Sequence, residues 1–173
     1  MSLGLKRGTV ELVPHDPEWA RLFANEKKLL TETFGDIIVA IEHVGSTAIP
    51  DISAKPIIDM DVGIKSLESS AEMKEKFEQL GYEYRGNQGE EQRELFVKGP
   101  ETKRTHHAHV TEYGSTFWRN DLLFRDYLRS YKETAREYSE LKEKLAAENK
   151  DDRYAYTERK RSFIEKILKL AKD

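Results

Sequence analysis

A chain of 173 residues with 38% apolar and 35% charged side chains carries enough apolar material for one core and is too regularly patterned to be disordered. Its formal charge of −3 argues against a nucleic-acid surface, and the lack of cysteine excludes disulfides and thiolate metal sites. No apolar run approaches a membrane span and the start, MSLGLKRG, has no hydrophobic signal region, so the expectation is one cytoplasmic domain over 1–173.

Along the chain, HDPEWARLFANEKKLLTETFG reads as a first helix, with Asp16 as N-cap, Pro17 at the first helical position and Gly35 as the C-terminal stop. Its apolar stripe is Trp19, Leu22, Phe23, Leu30 and Phe34. Glu26 falls within that stripe and calls for a partner. DIIVAIEHVG is apolar and β-branched, a strand ending at Gly45, and IIDMDVGI is a second strand. SLESSAEMKEKFEQLG is a second helix closed by Gly81. YEYRG, ELFVKG and RTHHAHVTEYG are three shorter strands joined by polar turns. From about Thr116 the pattern turns helical. Phe124, Leu128, Tyr131, Ala135, Tyr138, Leu141 and Leu145 step by three or four as one long helix, and a break near ENKDDR separates it from YTERKRSFIEKILKLA. The layout is α+β: a mixed sheet of about five strands, an N-terminal helix and a helical C-terminal region, with the helices on one sheet face.

Chemistry concentrates in three short stretches. In IIDMDVGI, alternation puts Asp59 and Asp61 on one face and Ile58, Met60 and Val62 on the other. Two carboxylates so close repel unless a positive charge joins them, and an oxygen-seeking divalent cation, Mg²⁺ or Mn²⁺, would do so. Gly45-Ser46 follows the preceding strand and can present amides and a hydroxyl to an anion, with Lys55 between the two elements. In THHAHVT, His107 and His109 share a face opposite to His106, so they can join the aspartates as acid–base groups, with His109 as a metal ligand, if the strands are neighbours. Arg104, just before them, can supply a phosphate fork. The C-terminal cations Lys132, Arg136, Arg153, Lys160 and Arg161 lie beside Tyr131, Tyr138, Tyr154 and Tyr156. Most read as a solvated helix face, although such helices could close over a nucleotide.

Together VPHDPEW, HVGSTAIPDISAKPIIDMDV and RTHHAHV resemble the GrpB (UPF0157) family over nearly the whole chain. Members of that family resemble the polymerase-β-like nucleotidyltransferase superfamily, which pairs a Gly-Ser turn with an Asp-x-Asp on the next strand and a third carboxylate on a later one. Gly45, Ser46, Asp59 and Asp61 match the first two parts. Where the third is expected, this chain has His107 and His109, so Glu26 or a histidine is left as the candidate base. The resemblance extends to YTERKRSFI and makes Lys160 a candidate ligand-binding residue. GrpB-like domains also occur fused to dephospho-coenzyme A kinase, which points toward nucleotide or cofactor metabolism. The expected function is metal-dependent nucleotidyl transfer from a nucleoside triphosphate to a small acceptor. Two alternatives stand beside it: an inactive module binding a nucleotide or other phosphorylated small molecule, and a metal-dependent phosphohydrolase using the histidine cluster.

Overall fold

The computed structural model describes residues 3–150 and 152–172. Strands β1 (Ile38–Val44), β2 (Ile58–Ile64), β3 (Tyr82–Tyr84), β4 (Arg93–Lys98) and β5 (His106–Glu112) form one sheet in the order β1-β2-β5-β4-β3. The β2–β5 pair is parallel and the other three are antiparallel, so the sheet is mixed, as the strand pattern predicts. The parallel pair is central. It juxtaposes the aspartate strand and the histidine strand residue for residue: Asp59 lies opposite His107 and Asp61 opposite His109.

Helix α1 (Glu18–Phe34) starts where Asp16 Oδ1 accepts the Glu18 amide at 3.0 Å and stops at Gly35, which takes a positive φ of 53°. Helix α2 (Ser70–Gln79) follows a short 3-10 turn, Leu67–Ser69. These two helices cover one face of the sheet. Trp19, Leu30, Phe34, Met73 and Phe77 pack there on Ile41, Ile58, Met60, Val62, Phe96, Ala108 and Val110 in the main core.

The C-terminal helices do not join that layer. Helix α3 (Thr116–Ser130) crosses the opposite face, where the Trp118 ring packs so closely over Gly63 that a Cβ there would come within 2.8 Å of it. Helices therefore flank both faces, not one. The apolar side chains of β2 account for one layer, whereas its second face is polar and gives no hydrophobic signal for the helix above it.

The repeat from Phe124 to Leu145 predicts one helix, but the chain breaks at Tyr131 (φ −115°, ψ 87°), and α4 (Lys132–Glu148) folds back. The break keeps the helical hydrogen bonds from Tyr131 N to Tyr127 O and from Ala135 N to Tyr131 O. Leu128 and Tyr138 both pack on Ile49 and Ile52 of the β1–β2 connection. In a continuous helix ten residues would separate them by about 15 Å, too far to share one small cluster. Helix α5 (Arg153–Leu170) follows the second break, whose residue 151 lies outside the described residues. Among the described residues no helix is long and apolar enough to cross a membrane.

Candidate functional site

Strand register builds one polar patch on the sheet face opposite α1. Asp59, Asp61 and Gly63 of β2 lie there beside His107, His109 and Thr111 of β5, with Glu42 of β1 opposite Asp61 and Arg93 of β4 opposite Thr111. The expected face for His107 and His109 is the observed one, and His106 points to the other side with Ala108 and Val110.

The two aspartates have different surroundings. Asp59 Oδ1 lies 3.1 Å from His107 Nδ1 and 3.7 Å from His109 Nε2. Burial opposes ionisation of Asp59, but the two imidazoles outweigh it and hold the carboxyl well below its ordinary range. Asp61 has no accessible surface, and neither of its carboxylate oxygens has a hydrogen-bond partner. Burial, then the carboxylates of Asp121 and Asp59, push its pKa well above the ordinary value.

Asp121 is the third carboxylate of the patch, and it comes from α3 rather than from a strand. Trp118, Asp121, Arg125 and Leu128 fall three or four residues apart, so they share the helix face turned inward. Arg125 fixes that face: its Nη1 donates to Glu42 Oε2 at 2.7 Å and to the His43 carbonyl at 3.0 Å, and its Nε donates to Asp126. Burial raises the Asp121 pKa, as does Asp59, against the opposing pull of His109 and Arg93.

Arg93 determines the state of His109. A guanidinium only donates, so the 2.9 Å contact from Arg93 Nη1 makes His109 Nδ1 an acceptor. A neutral imidazole with its Nδ1 lone pair engaged carries its proton on Nε2, the atom facing Asp59. Burial and Arg93 favour this neutral form, although Asp59 pulls the other way. In this arrangement His109 turns its Nε2 proton toward Asp59, 3.7 Å away, and offers no free lone pair, which counts against the expected role as a metal ligand.

The Gly45-Ser46 turn abuts the patch. Gly45 has φ 70°, and a Cβ there would lie 2.8 Å from Asp59 Oδ2, so the position needs glycine for both conformation and space. Ser46 opens a 3-10 turn, Ser46–Ala48, in the neighbourhood of the buried Tyr138 phenol. Lys55 and Lys160 lie within the electrostatic range of Asp59. Tyr138 and Tyr156 are buried in the helical layer.

Two expected residues lie elsewhere. Glu26 is on the α1 side of the sheet, where its carboxylate accepts from Lys98 Nζ at 2.7 and 2.9 Å and from the Tyr82 hydroxyl at 2.8 Å. It has the partner that its place in an apolar stripe requires, and that partner makes it structural rather than a base. Arg104 donates to the Gly99 carbonyl and to Glu83 Oε2, both at 2.5 Å, and is 5% exposed. Its fork is already filled by protein acceptors and cannot serve a phosphate.

Among the described residues no three His, Asp or Glu side chains are gathered at ready-made metal-ligand spacing. The donor chemistry still suits a hard cation, because Asp61 is a buried carboxylate without a partner and Asp59 and Asp121 add charge beside it. Mg²⁺ is commonly held by one or two carboxylates plus substrate phosphates and water, and so needs no complete protein cage.

Comparison with known proteins places the whole chain. Residues 9–170 match the family model described as GrpB protein. The chain is 38% identical over 170 residues to the glutamate-rich protein GrpB of Alkalihalophilus pseudofirmus, covering 96% of this chain and 98% of that protein. It is 41% identical over 163 residues to the UPF0157 protein YqkA of Bacillus subtilis, which covers 94% of this chain but only 47% of YqkA, so the chain spans about half of that relative. A dephospho-CoA kinase of Mycolicibacterium paratuberculosis is 36% identical over 81 residues, which is 45% of this chain and 20% of the kinase. Among solved structures, the conserved protein GrpB of Enterococcus faecalis superposes with a TM-score of 0.86 at 36% identity, covering 93% of this chain and 96% of that one. On a match that runs nearly end to end in both sequence and structure, the chain belongs to the GrpB (UPF0157) family.

Proposed function

We propose that this protein is a metal-dependent transferase of the nucleotidyltransferase type, moving a nucleotidyl group from a nucleoside triphosphate to a small acceptor. The observation that carries the proposal is Asp61, a fully buried carboxyl with both oxygens unbonded, within the electrostatic range of Asp59 and Asp121. A buried carboxyl without a hydrogen-bond partner is costly whether it is charged or neutral, and a cation is a ligand that would compensate it.

Asp59, Asp61 and Asp121 would hold Mg²⁺ or Mn²⁺. The ion would supply charge neutralisation at the transferred phosphoryl group. The protein's own residues have separable tasks. His107 and His109 keep Asp59 ionised and oriented. Arg125 and Trp118 lock α3, and with it Asp121, over the sheet. Asp121, with its raised pKa, is suited to accept the acceptor's proton near neutral pH, the task for which Glu26 lies on the wrong face. The Gly45-Ser46 turn against Asp59, and Lys55 within range of the same charge, suit the phosphate oxygens. Positioning and electrostatic complementarity provide most of the rate in such transfers.

Calorimetry with Mn²⁺, in the presence and absence of ATP, tests the reading. Binding should appear in the wild type and disappear in Asp61→Asn, and pyrophosphate should be released when a nucleoside triphosphate meets a productive acceptor. Equal Mn²⁺ affinity in wild type and Asp61→Asn overturns it.

A further inference from the structure

Beside the carboxylates the helical layer holds a second cluster, of the opposite sign. Lys160 Nζ sits 4.4 Å from the centre of the Tyr156 ring and Lys55 Nζ 5.7 Å from the same centre. Lys142 Nζ sits 4.8 Å from the Tyr138 ring and donates to the Ser53 carbonyl, and the whole residue is 1% exposed. Arg153, at the start of α5, adds its charge to both Lys55 and Lys160. Among the described residues none of these four cations is ion-paired with a carboxylate, although most other basic side chains of the helical layer are exposed or paired.

Burial is the largest influence on each lysine and the neighbouring cations come after it. Lys55 is pushed down to about 7, Lys142 to about 7 and Lys160 to about 8. Asp59 is the one carboxylate whose charge acts on both Lys55 and Lys160, and Lys55 stands four residues before it in the chain, so the cluster lies within electrostatic range of the polar patch. Aromatic faces do not neutralise this much charge: a cation over a tyrosine gains about 0.5 to 2 kcal/mol, and one ring here serves two lysines. What is missing is an anion with several charges.

We infer that Lys55, Arg153 and Lys160 form a metal-independent site for the distal phosphates of a polyphosphate chain, with Lys142 as a fixed charge beneath it. This deepens the transferase reading and rests on it for one point, that a first phosphate is engaged at the carboxylates. The lysines then take the phosphates beyond it, so the ligand class is a chain of phosphates and not a monophosphate ester. Lys142 contributes field rather than contact, since its ammonium is buried and committed to Ser53.

The test is calorimetry in EDTA with inorganic phosphate, pyrophosphate and tripolyphosphate. Tripolyphosphate should bind at least tenfold more tightly than phosphate. Lys160→Gln and Lys55→Gln should each weaken it about tenfold or more, and Lys160→Arg should restore most of the loss. Asp61→Asn should bind tripolyphosphate at least as well as wild type while losing Mn²⁺, so failure of the metal site and failure of the anion site give different patterns. Absence of polyanion binding in EDTA, equal affinity for phosphate and tripolyphosphate, or lysine variants that bind like wild type each overturn the inference.

Discussion

Replacing Asp61 by asparagine in metal-free buffer should stabilise the protein, which is an unusual outcome for a fully buried polar residue. Asp61 makes no hydrogen bond that asparagine would forfeit, so the change mainly removes charge. Residues two apart on a strand are separated by about 7 Å, and at an effective dielectric of about 20 a pair of like charges at that distance costs about 2 kcal/mol. Protonation caps the penalty. An aspartate that is ionised when unfolded and held neutral when folded costs about 1.4 kcal/mol per pH unit above its unfolded pKa, so roughly 4 kcal/mol at pH 7. The expected gain is about 2 kcal/mol, a rise of roughly 4 to 8 °C in Tm for a domain of this size. The sign with pH follows from the raised folded pKa of Asp61. The unfolded state loses its proton first, wild-type stability falls as pH rises above about 4, and the advantage of asparagine grows over the same range and vanishes at acid pH. Asp59→Asn should behave in the opposite way, because Asp59 accepts from His107 and that charge-assisted bond is lost, at a cost of about 1.5 to 3 kcal/mol. Urea unfolding in EDTA at pH 7 and pH 4 reads both variants. A loss of more than 1 kcal/mol in Asp61→Asn at pH 7 would refute the reasoning and mark the carboxyl as a structural group.

Three further outcomes are expected. Gly45→Ala should destabilise the protein and weaken Mn²⁺ binding together, since the new Cβ needs a strained φ and the space of Asp59 Oδ2; a variant with wild-type Tm and Mn²⁺ affinity would contradict this. Glu26→Gln should cost about 1 to 3 kcal/mol through its bonds to Lys98 and Tyr82 and leave Mn²⁺ affinity unchanged, as thermal unfolding and calorimetry would show. His43 and His106 are both lowered to about 4, by burial first, so the unfolded state binds protons that the folded state refuses. Stability should therefore fall as pH drops from about 6.5 to about 4, by up to roughly 3 kcal/mol for each histidine, and His106→Gln should flatten that part of a denaturation–pH profile.

The parts of the site on strands were legible, and the part on a helix was not, for a physical reason. A strand has a period of two, so the alternation in IIDMDV and THHAHVT assigns each side chain to a face before any partner is known. Parallel pairing of β2 and β5 then brought the two faces together in register. Asp121 stands in FWRNDLLFRDYL, where three acidic or basic residues accompany it and helical propensity is indifferent to which of them turns inward. The signal was present in the spacing: Asp121 is three residues after Trp118 and four before Arg125, on the same stripe as Leu128. It is the same kind of signal that marked Glu26 within the stripe of α1. A charged residue on a packed helix face must have a partner, but the sequence does not say whether that partner is a lysine across the core or an ion from solution. The structure separates the two cases. Glu26 meets Lys98 at 2.7 Å, whereas Asp121 lies in the electrostatic range of Asp61 and Asp59, carboxyls like itself. Arg125 on Glu42 and Trp118 on Gly63 hold the helix in place, although the Asp121 it carries, together with Asp59, raises the pKa of Asp61. On the proposed reading, the compensation for Asp61 comes from solution, as a cation held by the three carboxylates.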